Sequence, residues 1–218
     1  MGRRMGSRRK NFLALLDRPV LAHTLSAFEQ CPVVTSIVVA VQPSDAEYCR
    51  HEVVARYGFK KVIGVVEGGA ERQDSVANAL KLAKGFDIVA VHDGARPLVT
   101  PGIIEAVIRA AVETGAAVCG VRPKDTIKET SSGRVKKTLQ RESLLSVQTP
   151  QAFRTELLLK AFETAQKDSF IGTDESSLVE RLGAEVSVVE GAYENIKITT
   201  EDDLAFAECV LRKRAAGL

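Results

Sequence analysis

An α/β protein with three layers, helices on both faces of a mostly parallel sheet, is the fold this sequence predicts. Short runs rich in β-branched residues recur along the chain, and segments with apolar residues at helical spacing separate them. A strand, helix, strand succession implies right-handed crossovers and helices on both sheet faces. Each cluster of chemically capable polar residues also follows a run read as a strand, and ligands gather at the carboxyl ends of strands in an open α/β sheet.

The elements follow in order. Strands are expected at 36–41, 62–66, 87–91 and 116–121, all reading as buried and parallel. Val20, Leu21, Thr24, Leu25 and Phe28 have helical spacing, as do Ile103, Ile104, Val107, Ile108 and Ala111. Between about 122 and 146 the pattern changes to two polar strands, 125–130 and 134–139, around the turn Ser131-Ser132-Gly133. An isolated two-stranded arm is marginal in water, so it is expected to project and pack on a second subunit. Helices at 155–167 and 174–182, strands at 186–189 and 195–199, and a closing helix from Thr200 complete one domain spanning 1–218. Thr200 reads as a cap, with acids in the first turn where the helix dipole favours them.

Composition excludes several classes. The formal charge is +2, from 30 basic and 28 acidic residues, so no global field attracts nucleic acid or an anionic membrane. The opening ten residues are basic, but no apolar run of signal length follows, and a cytoplasmic protein is expected. Cys31, Cys49, Cys119 and Cys209 lack metal-ligand spacing and read as packed, reduced thiols. His23, His51 and His92 are too dispersed for a zinc site and receive no chemical role.

Two loops and three cations can carry chemistry. Gly68 and Gly69 permit close backbone approach, and Arg72 and Ser75 at the following helix start can meet a base or phosphate; a structural glycine pair before a helix is the plainer alternative. The segment is neither a P-loop nor a dinucleotide fingerprint. At the next strand end, Asp93 suits a metal or hydroxyl and Arg96 suits phosphate; the alternative is an internal Asp–Arg pair that organises the loop. Arg4, Lys10 and Lys197 are candidate triphosphate cations, Lys197 because it interrupts an apolar run. Arg3, Arg8 and Arg9 read as a solvated basic surface.

These clusters resemble the 2-C-methyl-D-erythritol 4-phosphate cytidylyltransferase family along the whole chain. The likeness rests on Gly2-Arg3-Arg4-Met5, Lys10-Asn11-Phe12-Leu13, Arg18-Pro19-Val20-Leu21, the Gly-Gly-x-x-Arg-x-x-Ser segment from Gly68 to Ser75, and Asp93 to Pro97. Asp125-Thr126, Arg141, Thr149-Pro150-Gln151, Thr173-Asp174-Glu175 and Asn195-Ile196-Lys197-Ile198-Thr199 continue it in order. The resemblance implies a Rossmann-like fold of the nucleotide-diphospho-sugar transferase type. It implies transfer of CMP from CTP to methylerythritol phosphate, a step of the non-mevalonate isoprenoid pathway, by a Mg²⁺-dependent homodimer joined through the arm.

Carried over by position, it makes Arg4, Lys10 and Lys197 catalytic and gives the CTP site Gly2, Gly68, Gly69, Arg72 and Ser75. Asp93, Gly94, Arg96, Thr126, Arg141, Thr149 and Thr173 would meet the sugar-alcohol phosphate, with Thr126 and Arg141 coming from the other subunit and Asp93 also holding the metal. The chemistry implied is in-line displacement at the α-phosphorus with positioning and charge stabilisation as the main devices. The sequence departs from the family at Arg9 (usually Pro) and Asn11 (usually Gln), and it shows neither the family's first strand nor the Ala-Ala-Gly start of its Gly-rich loop. Rival readings are a pentitol (ribitol) 5-phosphate cytidylyltransferase and a catalytically impaired nucleotide-binding homologue.

Overall fold

The structure is a computed structural model that describes residues 10–217. A short antiparallel pair, β1 (Ala14–Leu15) with β2 (Arg18–Pro19), leads into α1 (Val20–Gln30). That helix buries Val20, Leu21, Leu25 and Phe28, the apolar stripe read from the sequence. β3 (Ile37–Val41) follows, then α2 (Ala46–Tyr48), which runs on into a π-helical stretch, Cys49–Ala55. β4 (Val62–Glu67) pairs with β3 in parallel.

Next come α3 (Arg72–Leu80), β5 (Ile88–Val91), α4 (Pro101–Thr114) and β6 (Ala116–Val121). Thr100 caps α4 by accepting from the Ile103 N–H. The arm is a hairpin of β7 (Lys128–Ser131) and β8 (Arg134–Thr138). Its turn residues Ser132 (φ 50) and Gly133 (φ 76) are both left-handed, the conformation that a tight hairpin with right-twisting strands favours. β9 (Ser146–Arg154), α5 (Thr155–Lys167), α6 (Glu175–Glu180), β10 (Ser187–Glu190) and α7 (Glu201–Ala215) complete the chain. Thr200 caps α7 as expected, in a reciprocal capping box with Asp203.

The layers are visible in the buried clusters. Leu80 of α3 packs with Leu158 of α5 and Leu178 of α6 on one side. On the other side Phe28 of α1 packs with Ile104 of α4, and Val20 of α1 packs with Ala207 of α7. Three layers therefore form, as the alternation of elements predicts.

The sheet is more mixed than the sequence suggests. β10 and β6 are parallel, but β9 runs antiparallel between β6 and β5, with Ala152 opposite both Ala117 and Ala90. Of the four runs read as parallel strands, β5 has only this antiparallel partner among the described residues. Sequence reading missed β9 because Gln148, Thr149, Pro150 and Gln151 break the apolar run expected of a central strand; its pairing on both edges buries it instead. Residues 195–199 form no ladder, and Ile198 instead donates its N–H to Ala95 O at 2.8 Å. Cys31, Cys49 and Cys119 are buried thiols, whereas Cys209 is exposed on α7. Among the described residues no helix is long and apolar enough to cross a membrane.

Candidate active site

The site is built where β5 ends and three loops meet. Asp93 leaves β5 and turns at once, its carbonyl accepting the Arg96 N–H at 3.0 Å. Thr149, brought alongside by β9, accepts the Asp93 N–H at 3.0 Å and lies 3.1 Å from His92 Nδ1. His92 Nε2 lies 3.3 Å from Arg96 O. One tautomer satisfies all three contacts: Nε2 donates to Arg96 O and Nδ1 accepts from the Thr149 hydroxyl. Burial lowers the His92 pKa to about 4, so the ring is neutral near pH 7. From α1, Thr24 Oγ1 donates to Gly94 O at 3.0 Å, and a Cβ on Gly94 would lie 3.1 Å from Leu21 Cδ1. Gly94 thus permits the close approach of helix and loop.

Asp93 is the centre of the cluster. Its Oδ1 lies 3.3 Å from Arg72 Nε, and its Oδ2 lies 3.4 Å from Arg96 Nε and 3.0 Å from Lys197 Nζ. Burial pushes its carboxyl up, but Lys197, Arg72 and Arg96 outweigh that effect and hold the pKa at about 2. The Asp93–Arg96 pair anticipated as a loop organiser is therefore present, as one arm of a three-cation arrangement. A ligand phosphate entering here meets cations already gathered around one carboxylate.

Arg72 is shared between two acids. Its Nη1 lies 2.6 Å from Oε1 of Glu175, whose side chain is only 2% exposed. Burial opposes the charge on Arg72, but Glu175 and Asp93 outweigh it and raise its pKa. Burial raises the Glu175 pKa, and Arg72 offsets this only in part. Glu175 Oε2 is buried without a hydrogen-bond partner among the described residues. Gln151 aims this carboxylate: its Nε2 donates to Asp174 Oδ2 at 2.7 Å and its Oε1 accepts the Ser176 N–H at 3.1 Å, fixing the start of α6 to β9.

The Gly68–Ser75 loop closes on itself. Gly69 donates its N–H to Ser75 Oγ at 3.1 Å, and Glu71 and Asp74 form a capping box at the start of α3. The Gly68 N–H is taken by Val41 O at 2.6 Å. Lys197 reaches Asp93 through a knitted loop: Asn195 Nδ2 donates to Thr149 O at 3.0 Å, and Arg96 Nη1 donates to Asn195 O at 2.7 Å.

Asn11, Gly69, Arg72, Ser75, Asp93 and Gly94 line one cavity. Arg96, Lys197 and Thr149 join through the contacts above, although Thr149 is buried and its hydroxyl is committed to the loop. Lys10 opens a short 3-10 turn next to Asn11. Thr173 is exposed just ahead of α6. Thr126 and Arg141 belong to the arm; Arg141 donates to Lys124 O at 2.9 Å, and neither residue hydrogen-bonds to the Asp93 cluster. Gly2 and Arg4 lie outside the described residues, as do Arg3, Arg8 and Arg9.

Sequence reasoning assigned no role to His92, and it gave Glu175 and Gln151 none beyond their place in the segments that carry the resemblance. His92 carried one local signal, its position beside Asp93 at a strand end. Glu175 lies 103 residues from the arginine it holds, beyond the reach of any local pattern.

Among the described residues no group of three or more His, Cys, Asp or Glu side chains could hold a metal ion alone. Asp93 offers one ionised carboxylate beside gathered cations, a donor set that fits a Mg²⁺ ion shared with ligand phosphates and not a protein-only cage.

Comparison with known proteins gives the same answer from a separate direction. The model of the 2-C-methyl-D-erythritol 4-phosphate cytidylyltransferase (IspD) family matches residues 1–213. The protein of that name from Lysinibacillus sphaericus is 49% identical over 218 residues, covering 100% of this chain and 94% of the relative. The one from Pelotomaculum thermopropionicum is 49% identical over 220 residues, covering 100% and 92%. Among solved structures, 4-diphosphocytidyl-2C-methyl-D-erythritol synthase from Anaerococcus prevotii superposes with a TM-score of 0.85 at 29% identity, covering 94% of this chain and 90% of that one. The Thermus thermophilus 2-C-methyl-D-erythritol 4-phosphate cytidylyltransferase gives 0.81 at 36%, covering 93% and 94%. With its loops converging on Asp93 and its sequence matched almost end to end, the chain belongs to the 2-C-methyl-D-erythritol 4-phosphate cytidylyltransferase family.

Proposed function

We propose that this protein transfers CMP from CTP to 2-C-methyl-D-erythritol 4-phosphate, forming 4-diphosphocytidyl-2-C-methyl-D-erythritol and pyrophosphate. The observation that carries the reading is the gathering of Arg72, Arg96 and Lys197 around the Asp93 carboxylate at a strand end. A phosphate oxygen of the sugar-alcohol phosphate attacks the α-phosphorus of CTP. The bond from that phosphorus to the bridging oxygen breaks, and pyrophosphate leaves with the electron pair. The attacking phosphate is already ionised near neutral pH, so the protein needs no strong base; it supplies position and positive charge.

Lys197, with Lys10 and Arg4, would face charge that grows on the α-phosphate and leaving group. Arg96 would hold the second substrate's phosphate, and the Gly68–Ser75 loop would hold cytidine. Asp93 would hold Mg²⁺ together with ligand phosphates, and the metal would neutralise phosphate charge. The exposed hairpin, with Val135 at 63% exposure, supports a homodimer in which Thr126 and Arg141 reach the neighbouring site. A cytoplasmic location is part of the same reading.

The test is pyrophosphate release from CTP with methylerythritol phosphate and Mg²⁺. Turnover that needs all three and falls sharply with ribitol phosphate supports the reading. Equal turnover with ribitol phosphate, or full activity in excess chelator, overturns it.

A further inference from the structure

We propose that Tyr193 is a positioning residue that braces the loop carrying Lys197 against the root of the arm, so that the seating of the arm sets where its own chain's Lys197 stands. The inference rests on the reading above, in which Lys197 faces the reacting phosphates and the arm packs on a second subunit.

The root of the arm is one unit. Arg122 and Lys124 lead out from β6, and Arg141 and Glu142 lead back toward β9. The two legs are tied to each other, because Arg122 Nη1 donates to Glu142 O at 3.3 Å and Arg141 Nη1 donates to Lys124 O at 2.9 Å. A shift of the arm therefore moves both legs together.

The lysine loop is fixed on its inner side by β9. Just after β10 the Gly191 N–H donates to Gly120 O at 2.8 Å, and a Cβ on Gly191 would run into Gln148 Oε1. Gln148 Nε2 donates to Ala192 O at 2.8 Å, and its Oε1 accepts from Asn195 Nδ2 at 3.3 Å. Gln148 and Asn195 are both buried. Ala192 and Asn195 are thus held as the two ends of a turn, closed by the Asn195 N–H on Ala192 O at 2.9 Å.

The tip of that turn, Tyr193 and Glu194, is tied from outside. Glu194 pairs with Arg214 of α7 at 3.0 Å, which holds the tip to the body of the protein. Tyr193 Oη donates to Arg122 O at 2.9 Å, and Lys124 Nζ lies 3.9 Å from the centroid of its ring. A tyrosine that stays 49% exposed gains little from burial, so this hydrogen bond and cation–π contact to the outgoing leg define what it does. The inner contacts alone leave the tip free to swing about the line from Ala192 to Asn195. Asn195 belongs both to the turn and to the stretch that carries Lys197, so a swing of the tip is passed on. A misplacement of about 1 Å can cost roughly a hundredfold in rate.

The test uses the full chain with Tyr193→Phe, which keeps the ring, and Tyr193→Ala, which keeps neither contact. Tyr193→Ala should lower kcat for pyrophosphate release about tenfold and leave the CTP affinity measured by calorimetry unchanged, with Tyr193→Phe between it and the parent. The Ile198 N–H, held on Ala95 O, should exchange roughly tenfold faster in Tyr193→Ala. Mixing Tyr193→Ala subunits with Lys197→Ala subunits should leave the activity per Tyr193→Ala subunit as low as before, because the defect lies in the same chain as the intact lysine. A rise to the parent's level would make Tyr193 a residue that only carries the arm to the neighbouring site, and overturns the proposal. An unchanged kcat, or a loss confined to CTP affinity, overturns it as well. A parent that releases no pyrophosphate sinks the functional reading instead, and Ile198 exchange then decides the brace: faster exchange upholds it and unchanged exchange overturns it.

Discussion

Lys197 Nζ lies 3.0 Å from Asp93 Oδ2, although 104 residues separate them, and the lysine side chain remains 43% exposed while the aspartate side chain is 12% exposed. The lysine is held at the rim of the site by a buried acid, with part of its surface free for a second anion. That arrangement suits a cation that binds charge developing during a reaction.

Replacing Lys197 by Ala should therefore lower kcat more than it weakens CTP binding. The expected loss is on the order of a hundredfold, the scale for removing one preorganised charge-stabilising group. Steady-state kinetics decide it: a change confined to KM would reduce Lys197 to a substrate-binding residue.

Arg72 and Glu175 should be coupled. Arg72→Ala leaves a buried carboxylate without its partner and is expected to cost about 3 kcal/mol, the low end for one-sided loss of a buried pair because Arg72 is partly solvated. Glu175→Gln keeps a hydrogen-bond acceptor for Arg72 and should cost less. In the double variant the two losses should fall well short of their sum. Chemical denaturation of the four proteins measures this, and strict additivity would show that the pair is energetically idle.

Acid should act on the site in two windows with different groups. His92 has a folded pKa of about 4 against an ordinary 6.5, so the unfolded chain binds the extra proton first and stability falls as pH drops from 6.5 toward 4. Asp93 is depressed from 3.8 to about 2, so its contribution is full above 3.8 and fades as pH falls through 2. The shifts are worth about 3 kcal/mol for His92 and about 2 kcal/mol for Asp93 over their windows. Denaturation midpoints should show His92→Gln flattening the profile between pH 6.5 and 4, and Asp93→Asn converging on the parent protein only below pH 4. A His92→Gln profile parallel to the parent's would refute the first assignment.

The arm prediction concerns subunits. If Arg141 serves the neighbouring site, mixing Arg141→Ala subunits with Lys197→Ala subunits should regenerate one working site in each heterodimer. Activity above that of either variant alone is the expected result. An absence of recovery, with heterodimers verified by native mass spectrometry, would confine Arg141 to its own subunit.

The sequence by itself determined what depends on neighbours along the chain. The stripe of α1, the Thr200 cap, the tight turn at Ser131-Ser132-Gly133 and the strand ends that carry Gly68 and Asp93 were all legible, because helix and strand periods and turn chemistry act over a few residues. Tertiary structure decided the rest. β9 is a central strand because β5 and β6 pair with it on both edges, overriding the polar residues within it. The Lys197 segment needs no ladder because its backbone groups are taken up by Ala95 and Arg96. Glu175 became part of the site only when α6 was fixed against β9 by Gln151, aiming a buried carboxylate at Arg72. Burial and long-range pairing assign these roles, and both are properties of how the layers close, which no local pattern of residues encodes.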